Sequence, residues 1–459
     1  MATAPYFVFS PSTVLSLVGL LHGPDKTVPT PAADWRSAVV DVVIPALNEQ
    51  EHIVACLASV VRQTMKPRQV ILVDDGSNDR TTENARAYAG ETGLDLVAIK
   101  RRASIGKTPT LKRQARELDA DVQLILDGDT VLESDNYIER VVQELYQGAG
   151  IASACGIVLP MRERNRRAIM NAQQAPATGD AQPRTPAGPR HGLGRAVTNL
   201  YRGVLYMFLQ RFIYHGQMVF FGSIVNPVGC AVAYRRKYLA DLFNTYEPIL
   251  GDDLTNSEDI FIGFALLDQG YRNIQLMDVT ARSLEPEIQN LPRQIYYWSS
   301  SFLQSCFYFD ELLRSPFIAL KRLVRRKKAA HALADHELRE KRTIDEAYRQ
   351  AFGIDYTRRF GRPMGWVLFL SMVEKITFPA ALLIMILLRW WEPLAITLAA
   401  ETVVSLGILT IVSRGQRLEM LGKGLLVTPI RYASLLFDIY TIARFAWDLW
   451  VTRNRRWRK

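Results

Sequence analysis

The sequence predicts an α/β unit built on a parallel sheet, followed by helices that lie at a membrane surface and then cross it. Three observations predict this. Short β-branched runs alternate with helical patterns through the first part of the chain, polar clusters follow three of those runs, and apolar residues gather toward the end.

Val39 to Ile44 reads as a buried strand, followed by Pro45 to Glu49 and a helix over Ile53 to Gln63, whose Ile53, Leu57, Val60 and Val61 share one face. Val70 to Val73 reads as a second strand, ending at Asp74, Asp75 and Gly76. A helix with Thr81 near its start, a strand at Leu96 to Ile99, a helix over Leu111 to Leu118 and a strand at Gln123 to Leu126 complete the series. Such alternation implies parallel strands joined by right-handed crossovers. Sheets of this kind bind ligands outside the carboxyl ends of their strands. Three strands here end in polar clusters: Ala46 to Glu49, Asp74 to Ser77, and Asp127 to Asp129. Each cluster alone is ordinary turn chemistry, and the three together locate a site.

The chain divides into an N-terminal interfacial segment (1–37), the α/β domain (38–310), a charged interfacial helical linker (311–362) and a transmembrane region (363–459). Within the second unit, residues 171–195 are rich in Ala, Pro, Gly and Arg and read as a flexible insertion. Thr13 to Leu21 is too short to cross a bilayer and reads as an interfacial or core-packing piece. Trp366 to Leu388 and Leu394 to Val412 are long enough to span. Leu425 to Val451 contains Arg431, Asp438 and Arg444, and reads either as a third, amphipathic span or as a helix in the interface. Glu374 and Lys375 interrupt the first span, either facing a protein interior or wet path or pairing with one another.

The net charge of +10 calls for an anionic partner. The basic runs around Arg162 to Arg167 and Arg325 to Lys328 lack aromatic interleaving, so membrane lipids are expected and nucleic acid is not. The four cysteines form no CxxC pair, which suggests neither a zinc site nor a disulfide framework.

Asp127-Gly128-Asp129 after a buried strand suits a divalent cation. All-oxygen ligands favour Mg2+ or Mn2+, with Asp129 in direct coordination, and such a cation neutralises a leaving pyrophosphate. Gly106-Lys107-Thr108 resembles the end of a Walker loop, but Arg101 stands where glycine is required, so a P-loop enzyme is disfavoured and Lys107 is left as a point charge for phosphate oxygens. A carboxylate base to deprotonate an acceptor hydroxyl has two sources, Asp252 and Asp253 or Glu258 and Asp259, and residue chemistry does not choose between them.

The series Val43-Ile44-Pro45-Ala46-Leu47-Asn48-Glu49, Val73-Asp74-Asp75-Gly76-Ser77, Asp127-Gly128-Asp129, Ser257-Glu258-Asp259 and Gln294-Ile295-Tyr296-Tyr297-Trp298 resembles the inverting GT-A glycosyltransferases of the cellulose, chitin and hyaluronan synthase family. The resemblance implies a Rossmann-like, nucleotide-sugar-binding GT-A domain with interfacial and C-terminal transmembrane helices. It places Ala46, Glu49 and Asp75 against the nucleoside, with Asp127 and Asp129 at the diphosphate and metal, beside the Lys107 point charge read from the residues themselves. It makes Asp259 the general base, with Asp253 as runner-up, and puts Gln294 and Trp298 at the acceptor. One departure stands out: family members making long polymers carry arginine where this chain has Tyr297, and Arg293 is the nearest substitute on the same helix.

The resemblance implies a multi-pass cell-membrane enzyme with a cytoplasmic catalytic domain. It would use a nucleotide diphosphate-sugar, by expectation a UDP-sugar, to build β-glycosidic bonds in an extracellular or capsular polysaccharide. Transfer of one sugar to a lipid acceptor is the alternative within this class. A non-catalytic nucleotide-sugar-binding partner of another synthase is the alternative outside it. Accessory or oligomeric partners fit any of these readings.

Overall fold

A computed structural model of the chain describes residues 11–22, 34–148, 150–173, 193–250, 257–328 and 353–453. Asp252 and Asp253, most of the expected insertion, residues 329–352 of the charged linker and the basic end at 454–459 lie outside the described residues.

The first four strands follow the sequence pattern closely: β1 (Val40–Ala46), β2 (Gln69–Asp74), β3 (Leu96–Lys100) and β4 (Val122–Leu126). They are parallel, in the order β3-β2-β1-β4, and β1, β2 and β4 are almost wholly buried. Strands buried on both faces need no polar alternation, which is why they read as continuous apolar runs. The connecting helices are α2 (Ile53–Val61), α3 (Thr81–Thr92) and α4 (Lys107–Glu117), with α1 (Pro11–His22) before the sheet. The fourth helix begins earlier than the apolar pattern indicates, at Lys107, because Asp75 anchors the residues just before it.

The sheet then departs from the purely parallel expectation. β5 (Thr130–Leu132), β6 (Ile151–Pro160), β7 (Ala231–Arg235) and β8 (Arg272–Ser283) extend it to eight strands, ordered β3-β2-β1-β4-β7-β6-β8-β5. β7 runs antiparallel to both β4 and β6, and β5 runs antiparallel to β8. Reversing β7 brings its starting end, with the preceding Gly229 and Cys230, beside the carboxyl end of β4: the Asp127 N–H donates to the Cys230 carbonyl at 2.9 Å.

Helices α5 (Tyr137–Leu145), α6 (Glu163–Gln173), α7 (Leu193–Phe208), α8 (His215–Phe221), α9 (Arg236–Leu250) and α10 (Glu258–Gln269) are interleaved with these strands. After them come α11 (Leu291–Tyr308), α12 (Asp310–Leu313), α13 (Ser315–Lys328) and α14 (Ile354–Phe360). The N-terminal α1 packs on α8, with Thr13 and Ser16 buried and Val14 and Leu21 exposed, so this short apolar segment serves partly as core.

Among the described residues, three helices are long and apolar enough to cross a membrane: α15 (Pro363–Leu387), α16 (Trp391–Val412) and α17 (Arg417–Trp450). The third has 34 residues, about 51 Å at helical rise, against a hydrocarbon core of about 30 Å. Its charges are handled internally. Arg431 and Tyr432 meet Glu401 of α16, and Asp438 accepts from Lys375 of α15 at 2.9 Å and from Ser299 of α11. Lys375 thus reaches across to α17 as well as lying beside Glu374 in sequence.

Candidate active site

The β1 carboxyl end turns into α2 through a loop fastened to the one after β2. The Asn48 N–H donates to Ser77 Oγ at 2.9 Å, the Glu49 N–H to Thr81 Oγ1 at 2.8 Å, and Asn78 N–H to Asn48 Oδ1 at 3.0 Å. This interlocking aims Ala46 and Glu49 at the Asp127-Gly128-Asp129 turn. A Cβ on Gly128 would sit 3.2 Å from Ala46 Cβ and 3.1 Å from Glu49 Cγ, closer than ordinary packing allows. Glycine between the two aspartates is therefore what lets the first loop touch the third.

Asp75 is buried and fully engaged. Its oxygens accept from Arg101 at 2.7 Å, Ser104 at 2.6 Å, and the backbone N–H groups of Ile105 at 3.1 Å and Gly106 at 2.8 Å. Burial opposes the charged form, but these donors outweigh it and hold the carboxyl below its usual range. Asp75 thereby fixes the residues that lead directly into α4 and Lys107.

Lys107 stands at the centre of the cleft. Its Nζ lies 2.7 Å from Asp127 Oδ1 and 2.7 Å from Glu258 Oε1, and donates to the Gly229 carbonyl at 3.2 Å. Burial penalises the ammonium, yet the two carboxylates more than offset this and raise its pKa well above the usual lysine value. Lys107 was expected to face phosphate; here its partners are protein carboxylates. The Gly229 N–H in turn donates to Asp259 Oδ2 at 3.2 Å, while Asp259 Oδ1 accepts from Ile260 N–H at 2.9 Å and from Ser257. Asp259 thus caps the start of α10, where a helix end favours negative charge. A Cβ at Gly229 would fall 2.6 Å from that of Asp259, so no larger residue fits there. The strip Gly229-Cys230 brings the Asp127 and Asp259 sides together in one cleft, although they come from opposite ends of the domain sequence.

Asp129 is pushed up to about 7 by burial and then by Asp127 and Glu285, despite a hydrogen bond from Thr130. Glu49 is pushed up to about 9, first by burial and then by Asp129 and Asp127. Lys107 answers Asp127, but Glu49 and Asp129 still repel their neighbours, and a hard divalent cation would supply the positive charge they want. Among the described residues no three His, Cys, Asp or Glu side chains form a metal cage. The donor set fits a cation bound by one or two carboxylates and completed by phosphate oxygens, the usual arrangement for Mg2+ with a phosphorylated substrate.

The expected acceptor residues stand on α11. Gln294 Oε1 accepts from Arg202 of α7 at 2.7 Å, and the Arg202 guanidinium lies 4.1 Å from the Trp298 ring centroid. Arg293, the candidate substitute for a cation at 297, is exposed and donates to the Tyr297 hydroxyl at 2.8 Å. Sequence reasoning passed over Glu285, Arg202 and Gly229 because nothing local marks them. It weighed Glu258 only as a candidate base or a helix-starting charge, and the structure gives it to Lys107.

Residues 41–243 match the family model described as Glycosyl transferase family 2. An N-acetylglucosaminyltransferase of Azorhizobium caulinodans is 26% identical over 269 residues, covering 57% of this chain and 59% of that protein. The chain thus spans about three-fifths of that relative's length. An undecaprenyl-phosphate 4-deoxy-4-formamido-L-arabinose transferase of Serratia proteamaculans is 29% identical over 120 residues, 25% of this chain and 37% of that protein. Among solved structures, a mannosyltransferase from Pyrobaculum calidifontis in complex with GDP-Man and Mn2+ is similar in fold, with a TM-score of 0.50, 16% identity, and coverage of 96% of this chain and 94% of that one. The α/β domain has the GT-A fold.

Proposed function

We propose that this chain is a membrane-bound, inverting glycosyltransferase that takes a sugar from a nucleotide diphosphate-sugar, a UDP-sugar by preference, and forms β-glycosidic bonds in an extracellular or capsular polysaccharide. The observation that carries the reading is the Lys107 bridge: one ammonium 2.7 Å from Asp127 and from Glu258, with Asp259 next in sequence to Glu258. It sets a cation-seeking carboxylate pair on one side of the cleft and an independent carboxylate on the other, the division of labour that sugar transfer requires.

In this reading Ala46 and Glu49 flank the nucleotide, and Asp75 acts by shaping the loop that carries Lys107 toward it. Asp129 and Asp127 would hold Mg2+ or Mn2+, which supplies Lewis-acid neutralisation of the departing diphosphate. Asp259 takes the proton of the acceptor hydroxyl as its oxygen bonds to the anomeric carbon, and the electron pair of the breaking carbon–oxygen bond leaves with the diphosphate. Attack opposite the leaving group inverts the anomeric centre. Gln294 and Trp298 would hold the acceptor, an indole face suiting apolar sugar C–H surfaces.

In this reading the catalytic domain lies at the cytoplasmic face, where basic residues are favoured beside membrane spans. A second reading, transfer of one sugar to a lipid acceptor, is supported by the contact between Ser299 of α11 and Asp438 of α17, which seats the proposed acceptor helix against a candidate membrane span. The named activity of the Serratia relative points the same way. Incubating membranes with labelled nucleotide-sugar separates the two: polymer supports the first and a one-sugar glycolipid the second. Asp259→Asn should abolish transfer while keeping nucleotide-sugar binding. A wild-type protein that binds these donors but never turns one over would instead point to a non-catalytic binding partner.

A further inference from the structure

Arg202, on α7, is among the most deeply buried side chains of the protein, at 1% exposure. Its guanidinium stacks 4.1 Å from the Trp298 centroid and donates through Nη2 to Gln294 Oε1 at 2.7 Å. Its Nε lies 3.7 Å from Oε2 of Glu285, which is itself 2% exposed. Glu285 also accepts from Tyr206, and the N–H of the adjoining Leu284 donates to the Asp129 carbonyl at 3.3 Å. A single buried cation therefore touches both residues of the acceptor motif and a carboxylate next in the chain to a residue hydrogen-bonded to Asp129.

Taking a guanidinium out of water is costly unless its surroundings answer each of its faces. Here the plane covers an indole, one edge meets an amide oxygen and another faces a carboxylate, a combination that a planar fork satisfies and a lysine ammonium does not. Arg293 offers no equivalent, since its guanidinium lies 5.3 Å from the Tyr297 ring on its own helix and donates to that hydroxyl.

We propose that Arg202 is the positioning residue of the acceptor platform: it fixes the ring plane of Trp298 and the amide of Gln294, and ties both through Glu285 to the backbone segment that meets Asp129. This rests on the transferase reading above. A local sequence motif does not contain Arg202, because the contact joins residues 92 and 96 positions apart. Weakening it loosens the acceptor while leaving the donor in place.

The test uses the full chain with Arg202→Lys, and with the double change Arg202→Met and Glu285→Gln, beside wild type. Donor binding is read as the thermal shift produced by UDP-N-acetylglucosamine, UDP-glucose and GDP-mannose, each with Mn2+. Diphosphate release without added acceptor and transfer of labelled sugar to acceptors in native membranes are measured in parallel. Both variants are expected to keep the wild-type shift and diphosphate release within about twofold, while transfer falls by about tenfold or more. The double change removes the buried cation together with its carboxylate partner, so it carries the same expectation should Arg202→Lys fold poorly. Transfer at the wild-type rate, or donor binding that falls in step with transfer, overturns the positioning role. A wild-type protein that neither binds nor cleaves any of the three donors overturns the transferase reading itself, and the positioning role with it.

Discussion

The Lys107 ammonium lies 2.7 Å from the Glu258 carboxylate, joining the start of α4 to the start of α10 across a sequence gap that holds most of the domain. Asp127 takes the same ammonium from the other side at the same distance. One cation thus balances two buried carboxylates of different origin, one from the proposed diphosphate turn and one from the helix that begins with the proposed base.

Removing that cation should be far worse than removing one of its partners. Lys107→Met strands Glu258, 9% exposed, while Asp127, 31% exposed, keeps some solvent, so the cost falls short of the about 3–5 kcal/mol of a fully buried pair. Glu258→Gln leaves the ammonium paired with Asp127 and should cost less. Thermal unfolding of the two variants in detergent checks the order, and equal losses would count against the bridge.

Gly229→Ala tests the placement of Asp259. A Cβ at 229 would lie 2.6 Å from Asp259 Cβ, so one of the two backbones must shift. A displacement of about 1 Å at a catalytic group costs about 100-fold in rate. The expected pattern is a large fall in kcat with the nucleotide-sugar thermal shift retained, and an unchanged kcat would remove Asp259 from the base role.

Asp268 gives the domain a pH dependence of its own. It sits on α10, accepts from Tyr246 at 3.0 Å, and is pushed up to about 6 by burial, which the hydrogen bond and Arg362 only partly offset. The native state therefore holds this proton more tightly than the unfolded chain does, so stability is greatest below about pH 4 for this group and is lost as pH rises through about 6. The shift corresponds to about 3 kcal/mol. Asp268→Asn should flatten this part of the stability profile and raise the melting temperature at pH 8 relative to wild type; a profile of unchanged slope would rule the group out.

In the membrane region, Lys375 lies 2.9 Å from Asp438 and donates to Ser299 at 2.8 Å, tying α15, α17 and α11 together. Asp438→Leu should cost about 3–5 kcal/mol by stranding the ammonium. The double change Lys375→Met with Asp438→Leu should recover most of that loss. A double-mutant cycle on thermal stability reads the coupling, and additive losses would mean that the pair contributes nothing specific.

The first half of the sheet was legible because β1, β2 and β4 are buried on both faces and read as uninterrupted apolar runs. The second half was not. β8 mixes Arg272, Asn273, Gln275 and Asp278 with apolar residues, and Asn273 is buried only because Ser153, Val225 and Gly263 receive its polar atoms. No local pattern reveals a partner that distant. The third long helix was ambiguous for the same reason: Arg431 and Asp438 look hostile to lipid until Glu401 and Lys375 are seen beside them.

The sequence by itself determined the alternation of strand and helix, the polar strand ends that gather at one edge of the sheet, and the apolar helices near the end of the chain, because each follows from spacing within a few residues. Tertiary structure alone decided that β7 runs backward, that Lys107 serves Asp127 and Glu258 together, and that Arg202 stands behind Trp298. Those facts depend on charge balance and close packing between segments far apart in the chain, which take effect only once the sheet has closed.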